Sequence, residues 1–175
     1  MSDARHAANP HTPEYWDARA MLSADNAEMV GWSGMDFKGQ EHYAKRLLTG
    51  LIQPNDCVLD VGCGYGRFAQ HVRDAGGFWT GIDFSPAMFA KFRAQLISLE
   101  QSVSYSYRLA NALNPESTCF GMGKFNLIFC VGGWKTLGFP SRAAFVETYT
   151  PYLTRPGHVL TIDCYEAHIT NLWAV

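Results

Sequence analysis

The run VLDVGCGYGRFA, residues 58–69, sets a carboxylate, Asp60, beside three glycines at 62, 64 and 66. Glycine loses more backbone freedom than any other residue when it is ordered. Three in one short turn therefore mean left-handed backbone angles or a close approach of main chain to a ligand. A second acid, Asp83, ends the next apolar run, WTGID, and is followed by Ser85 and Pro86. An acid about twenty residues past a glycine turn, at a strand end, is placed to hold ribose hydroxyls through charge-assisted hydrogen bonds.

Two ligand chemistries compete for such a turn. A nicotinamide or flavin dinucleotide wants a third glycine three places after the second, and Arg67 stands there. A diphosphate would also lie near Asp60, where like charges repel. A ligand carrying an ammonium is attracted instead. S-adenosylmethionine carries an ammonium, a sulfonium and a carboxylate, and no phosphate. Asp60 would neutralise the ammonium, and the carboxylate would lie near the N-terminus of the helix that follows the turn.

The elements that hold these residues follow from periodicity. CVLDV (57–61), WTGID (79–83), VSYSYRL (103–109), FNLIFCV (125–131) and GHVLTID (157–163) read as strands. The third alternates and belongs near a sheet edge; the fourth is apolar throughout and belongs at the centre. Between them GRFAQHVRDAG, SPAMFAKFRAQL and SRAAFVETYTPYL read as helices, the second capped by Ser85 with Pro86 at its first position. Upstream, Thr12-Pro13-Glu14 starts a helix, GWSGMDFKG (31–39) reads as a loop, and a second helix spans Gln40 to Thr49 with Gly50 as its stop. Strand and helix alternate, which implies parallel crossovers, an α/β class and an open, doubly wound sheet with its ligand at the carboxyl ends of the strands.

The ordered set VLDVGCGYGRFA, GIDFSPAMFAKFRA, YRLANAL, FNLIFCVGGW and LTRPGHVLTID, from about residue 55 to 165, resembles the class I S-adenosylmethionine-dependent methyltransferases. The resemblance implies a Rossmann-like, mostly parallel sheet. It implies one domain over residues 1–175, with an N-terminal helical lid (1–50) on a cofactor-binding core (51–175). It implies that Asp60, Gly62, Cys63, Gly64 and Gly66 line the methionine part of S-adenosylmethionine, with S-adenosylhomocysteine as product. Asp83 would hold the ribose, Phe84 and Met88 would pack on the adenine, Asn111 and Ala112 would meet its edge, and Val131 would contact the methionyl end. Asn111 stands where the family often has Asp, yet its amide oxygen can still accept from an adenine amino group. The family usually continues past its fifth strand with a helix and an antiparallel strand pair. Twelve residues follow Asp163 here, so the pair is expected to be shortened or absent. A bare strand edge is an association hazard, so a homodimer is expected.

Methyl transfer from a sulfonium needs alignment and exclusion of water more than a strong base. A small-molecule acceptor is expected. VGGWKTLGF follows the fourth strand without the Asn/Asp-Pro-Pro-Tyr/Phe of enzymes that methylate amide or base nitrogens, and the net charge is −2 with scattered basic residues, so no nucleic acid is expected. Tyr15, Trp16, Trp32 and Trp134 are candidate substrate contacts, since aromatic faces stabilise cations. Tyr15 and His42 are candidate bases. A non-catalytic S-adenosylmethionine-binding protein, or a subunit of a larger methyltransferase, is the alternative. Five cysteines occur without a C-x-x-C pair, so no metal site is expected and reduced, buried thiols are. The first residues hold no apolar signal segment and no run is long enough to span a bilayer, so a cytoplasmic location is expected.

Overall fold

The computed structural model describes residues 9–22, 29–30, 34–98, 105–163 and 166–172. Strands β1 (Cys57–Val61), β2 (Phe78–Asp83), β3 (Tyr105–Leu109), β4 (Phe125–Val131), β5 (Leu153–Asp163) and β6 (Glu166–Leu172) make one sheet in the order β3-β2-β1-β4-β5-β6. The first five are parallel and β6 runs antiparallel to β5. The helices are α1 (Pro13–Leu22), α2 (Gly34–Leu51), α3 (Ala69–Asp74), α4 (Pro86–Ser98) and α5 (Arg142–Tyr149). The fold is the mixed α/β, mostly parallel arrangement that the alternation of strand and helix predicts. β3 lies at the edge, and β1 and β4 are neighbours at the centre, where the strand order reverses.

Strand residues alternate between faces, so β1 feeds two cores. Val58 packs with Leu48, Phe68, Val72, Trp79, Phe92, Phe129 and Leu160 on one face. Leu59 and Val61 pack with Ile82, Ile128, Phe145, Tyr149 and Val159 on the other. Each fully buried aliphatic or aromatic side chain here contributes about 1.5–3 kcal/mol. Asp60 shares the face of Val58 and is the acid that this pattern draws inward; it is 2% exposed.

Two local expectations are corrected and a third is narrowed. GWSGMDFKG is not a loop throughout: α2 begins at Gly34, because Phe37 starts the buried stripe that Gln40, Ala44 and Leu48 continue at helical spacing. Gly50 does not stop the helix, which runs through it to Leu51 ahead of the buried Ile52. The antiparallel element after β5 is shortened rather than absent: one strand, β6, covers the edge, with Asp163 paired to Glu166 and Gly157 to Leu172. Its alternation (Ala167, Ile169 against His168, Thr170) is short and polar enough to be missed in sequence. A bare β5 edge therefore supplies no argument for a homodimer.

Candidate functional site

The site is assembled from the ends of β1 and β2 and the turn between β1 and α3. Gly62, Gly64 and Gly66 have φ of 70°, 54° and 75°, the left-handed region that side chains disfavour. The N–H groups of Gly62 and Cys63 both donate to the Ile82 carbonyl, at 2.9 and 3.0 Å, which sews the turn onto the end of β2. Asp83 locks the arrangement. Its Oδ2 accepts from the Gly64 N–H and its Oδ1 from the Ser85 N–H, each at 2.9 Å. The Tyr107 hydroxyl donates to the Gly64 carbonyl at 3.0 Å.

The glycines do different work. A Cβ on Gly64 would meet only the Met88 sulfur, at 3.9 Å, so its bare side faces open cleft. A Cβ on Gly66 would lie 2.4 Å from the Phe92 ring. Gly66 is thus small for the sake of the core beneath the turn. Gly81 was not singled out in sequence, yet a Cβ there would meet the Trp79 ring at 2.3 Å. Gly81 pairs with Asp60 across the sheet, and its bareness lets the indole lie over it so that Trp79 Nε1 donates to Asp60 Oδ2 at 3.2 Å.

Burial pushes the Asp60 carboxyl up to about 7, against the opposing pull of the Trp79 hydrogen bond and the Arg67 charge. Burial also raises Asp83, held back by the N–H bonds from Ser85 and Gly64. The Cys63 thiol is pushed well up by burial and then by the two aspartates, so it is an inert, protonated wall.

Among the sequence-predicted residues, Trp16, Asp60, Gly62, Cys63, Gly64, Asp83, Phe84, Met88 and Val131 line one open cleft. Gly66, Asn111, Ala112, Trp134, Tyr15 and His42 do not line it. The Asn111 carboxamide oxygen accepts from the Leu113 N–H at 2.9 Å, and the Ala112 carbonyl from the Tyr149 hydroxyl at 2.8 Å. Trp134 is buried in the core with Leu59 and Phe145. Tyr15 Oη accepts from Arg19, and His42 is exposed on α2. Trp32 lies outside the described residues.

The cleft also has walls that sequence reading did not name: Val30, Arg67, Phe68, Gly132, Gly133, Thr136 and Leu137. The pair Gly132-Gly133 at the carboxyl end of the central strand was the available signal. Gly132 has a φ of 70°, and its N–H donates to the Ile162 carbonyl at 2.7 Å. Leu137 closes over the glycine turn, with its methyl carbons 3.2 Å from where a Gly62 Cβ would be. Among the described residues no group of three or more His, Cys, Asp or Glu is placed to hold a metal ion.

A doubly wound sheet with an acid-flanked glycine turn at its reversal point is the frame of a nucleoside-cofactor protein. Residues 58–157 match the family described as "Methyltransferase domain", and the chain belongs to that family. It is 27% identical over 137 residues to the 2-ketoarginine methyltransferase of Streptomyces arginensis, covering 77% of this chain and 39% of the relative. It is 50% identical over 46 residues to the 18S rRNA (guanine-N(7))-methyltransferase of Bos taurus, covering 25% of this chain and 16% of the relative. The chain thus spans less than half the length of either. Phosphoethanolamine N-methyltransferase 1 of Haemonchus contortus, solved with phosphoethanolamine and S-adenosylhomocysteine, shares the fold. Its TM-score is 0.69 at 17% identity, covering 92% of this chain and 34% of that one.

Proposed function

We propose that the chain binds S-adenosylmethionine in this cleft and transfers its methyl group to a small-molecule acceptor. The observation that carries the reading is the alignment of one open glycine, Gly64, between two buried carboxylates, Asp60 and Asp83. The residues present suit the cofactor. Asp60 offers a carboxylate to the ammonium, and Gly64 leaves room for the ligand against the main chain. Each Asp83 oxygen takes one backbone N–H and keeps a further acceptor site for a ribose hydroxyl. Phe84, Met88 and Trp16 supply the apolar surface that an adenine needs; Trp16 Nε1 is already committed to the Pro10 carbonyl at 2.8 Å. When bound, the cofactor supplies a methyl group already activated on sulfur, which leaves by in-line displacement as the acceptor's lone pair forms the new bond. The chain's part is then to align the acceptor and exclude water, and Leu137 and Trp16 are the side chains that narrow the cleft.

The wide match to a relative named for a small-molecule substrate, against a 46-residue match to an rRNA enzyme, supports a small acceptor. So does a net charge of −2. Four free cysteines among the described residues fit a reducing, cytoplasmic setting, and no described helix is long and apolar enough to cross a membrane. Calorimetric titration with S-adenosylmethionine, S-adenosylhomocysteine and NAD tests the cofactor. The first two should bind and NAD should not; binding of NAD alone ends the reading. A screen of small acceptors with methyl-labelled cofactor then separates transfer from binding, and label retained on the cofactor with every acceptor would leave the non-catalytic alternative standing.

A further inference from the structure

The expected seat for the cofactor's carboxylate, the N-terminus of the helix after the glycine turn, is poorly supplied. That helix, α3, has six residues. Two of the turn amides leading into it are committed: Gly66 N–H donates to the Cys63 carbonyl at 2.9 Å and Ala69 N–H to the Gly66 carbonyl at 3.0 Å. A side-chain cation stands beside it instead. Arg67 is the one cation among the described residues lining the cleft, facing two acids. Its guanidinium lies 4.6 Å from the Phe68 ring and 5.3 Å from the Phe37 ring, and its Nη2 donates to Gln40 Oε1 at 3.1 Å. Two more donors in the same cluster, Arg67 Nη1 and Gln40 Nε2, are buried with no hydrogen-bond partner. Buried orphan donors are costly, and a pair of them on adjacent groups is the complement of a carboxylate's two oxygens.

We infer that Arg67, in the cleft wall and backed by the buried Gln40, forms a carboxylate-recognition point, filled by the carboxylate of the cofactor's amino-acid end. The inference rests on the proposed cofactor. The charges then match in kind: Asp60 meets the ammonium, and Arg67 meets the carboxylate. The two aromatic rings fix the guanidinium plane, and Gln40 fixes its rotation. Because Gln40 and Phe37 lie on α2, the point also ties the N-terminal helices to the site, so ligand binding and α2 docking reinforce each other.

The test compares two ligands that differ only in the carboxylate: S-adenosylhomocysteine and its decarboxylated analogue, adenosine carrying a 3-aminopropyl thioether. Calorimetry on the wild-type chain should show roughly a 10- to 100-fold preference for the first, the range expected of charge-assisted bonds. Arg67→Met keeps a long apolar side chain between Phe37 and Phe68 and should reduce the preference to within about threefold, by weakening S-adenosylhomocysteine while leaving the analogue unchanged. Gln40→Glu gives Arg67 an internal carboxylate and should reduce the preference in the same way, so the test survives if Arg67→Met fails to fold. A merely structural Arg67 would lower both affinities together, and an unchanged ratio in either folded variant, or an equal loss for both ligands, overturns the inference. Failure of the wild-type chain to bind S-adenosylhomocysteine at all would instead remove the cofactor reading on which it stands.

Discussion

Asp60 and Asp83 sit near the carboxyl ends of adjacent strands and line the same cleft, but their surroundings differ. Asp83 spends both oxygens on backbone N–H groups, of Gly64 and Ser85, and so builds the turn it belongs to. Asp60 receives one indole N–H across a glycine and holds nothing else in place. Its carboxyl is accordingly pushed up to about 7 by burial. The contrast teaches that an acid tied to main chain is part of the scaffold as well as the site. An acid left nearly alone in a buried place keeps acceptor capacity that its own fold does not use.

Removing Asp83 should have the largest effect. Asp83→Ala deletes two proposed bonds to ribose and orphans two backbone N–H groups. S-adenosylmethionine affinity should fall by roughly 100-fold or more and thermal stability should fall with it, as calorimetry and melting curves would show. Asp60→Asn should break the symmetry in the other direction. It keeps the Trp79 contact and loses the charge, so affinity should fall by roughly 10- to 30-fold while the unliganded protein becomes more stable than wild type at pH 8.

The pH dependence sharpens the same point. Asp60 has its folded pKa raised from 3.8 to about 7, so between these values the native state holds a proton that the unfolded state has lost. Unliganded stability must therefore decline as pH rises through that window, by at most about 1.4 kcal/mol per pH unit from this group, and flatten above it. Denaturant melts from pH 4 to 8 would show the slope, and Asp60→Asn should remove most of it. Affinity for the cationic cofactor should move oppositely, rising to about pH 7 as the carboxylate forms. The smallest effect belongs to Trp79→Phe. Loss of the indole N–H should move the midpoint of that affinity profile up with little change in its plateau; an unmoved midpoint would mean that the indole contact does not bias Asp60.

The β1–β2 side of the cleft was readable because acid, glycines and cap fall within single short runs, where residue type and spacing carry the geometry. The β4 side was readable only at Val131. Gly132, Gly133, Thr136 and Leu137 are ordinary types whose role depends on the chain curling back over Gly62. Arg67 counted in sequence only as the residue that spoils a dinucleotide pattern, because its partners Gln40 and Phe37 lie on a helix whose start was read as a loop. Trp134 was misleading for the opposite reason, since an indole next to a strand end looks available until the second core is assembled around it. The central strands were legible from uninterrupted apolar runs; β6 was not, because its run, EAHITNL, is mostly polar.

Asp17 on α1 accepts hydrogen bonds from the Ser85 hydroxyl at 2.5 Å and from the Ala87 N–H at 3.0 Å, at the point where Ser85 itself caps α4 through the Met88 N–H at 3.1 Å. A helix made early in translation thus finishes the first turn of one made much later, beside the acid that ends β2. Trimming the polypeptide to residues 58–157, where the family likeness lies, would keep β2 to β4 whole and all of β1 but Cys57, and yet strip the fastening from that corner. The boundary that the family likeness draws and the boundary of the contacts that finish α4 are therefore not the same.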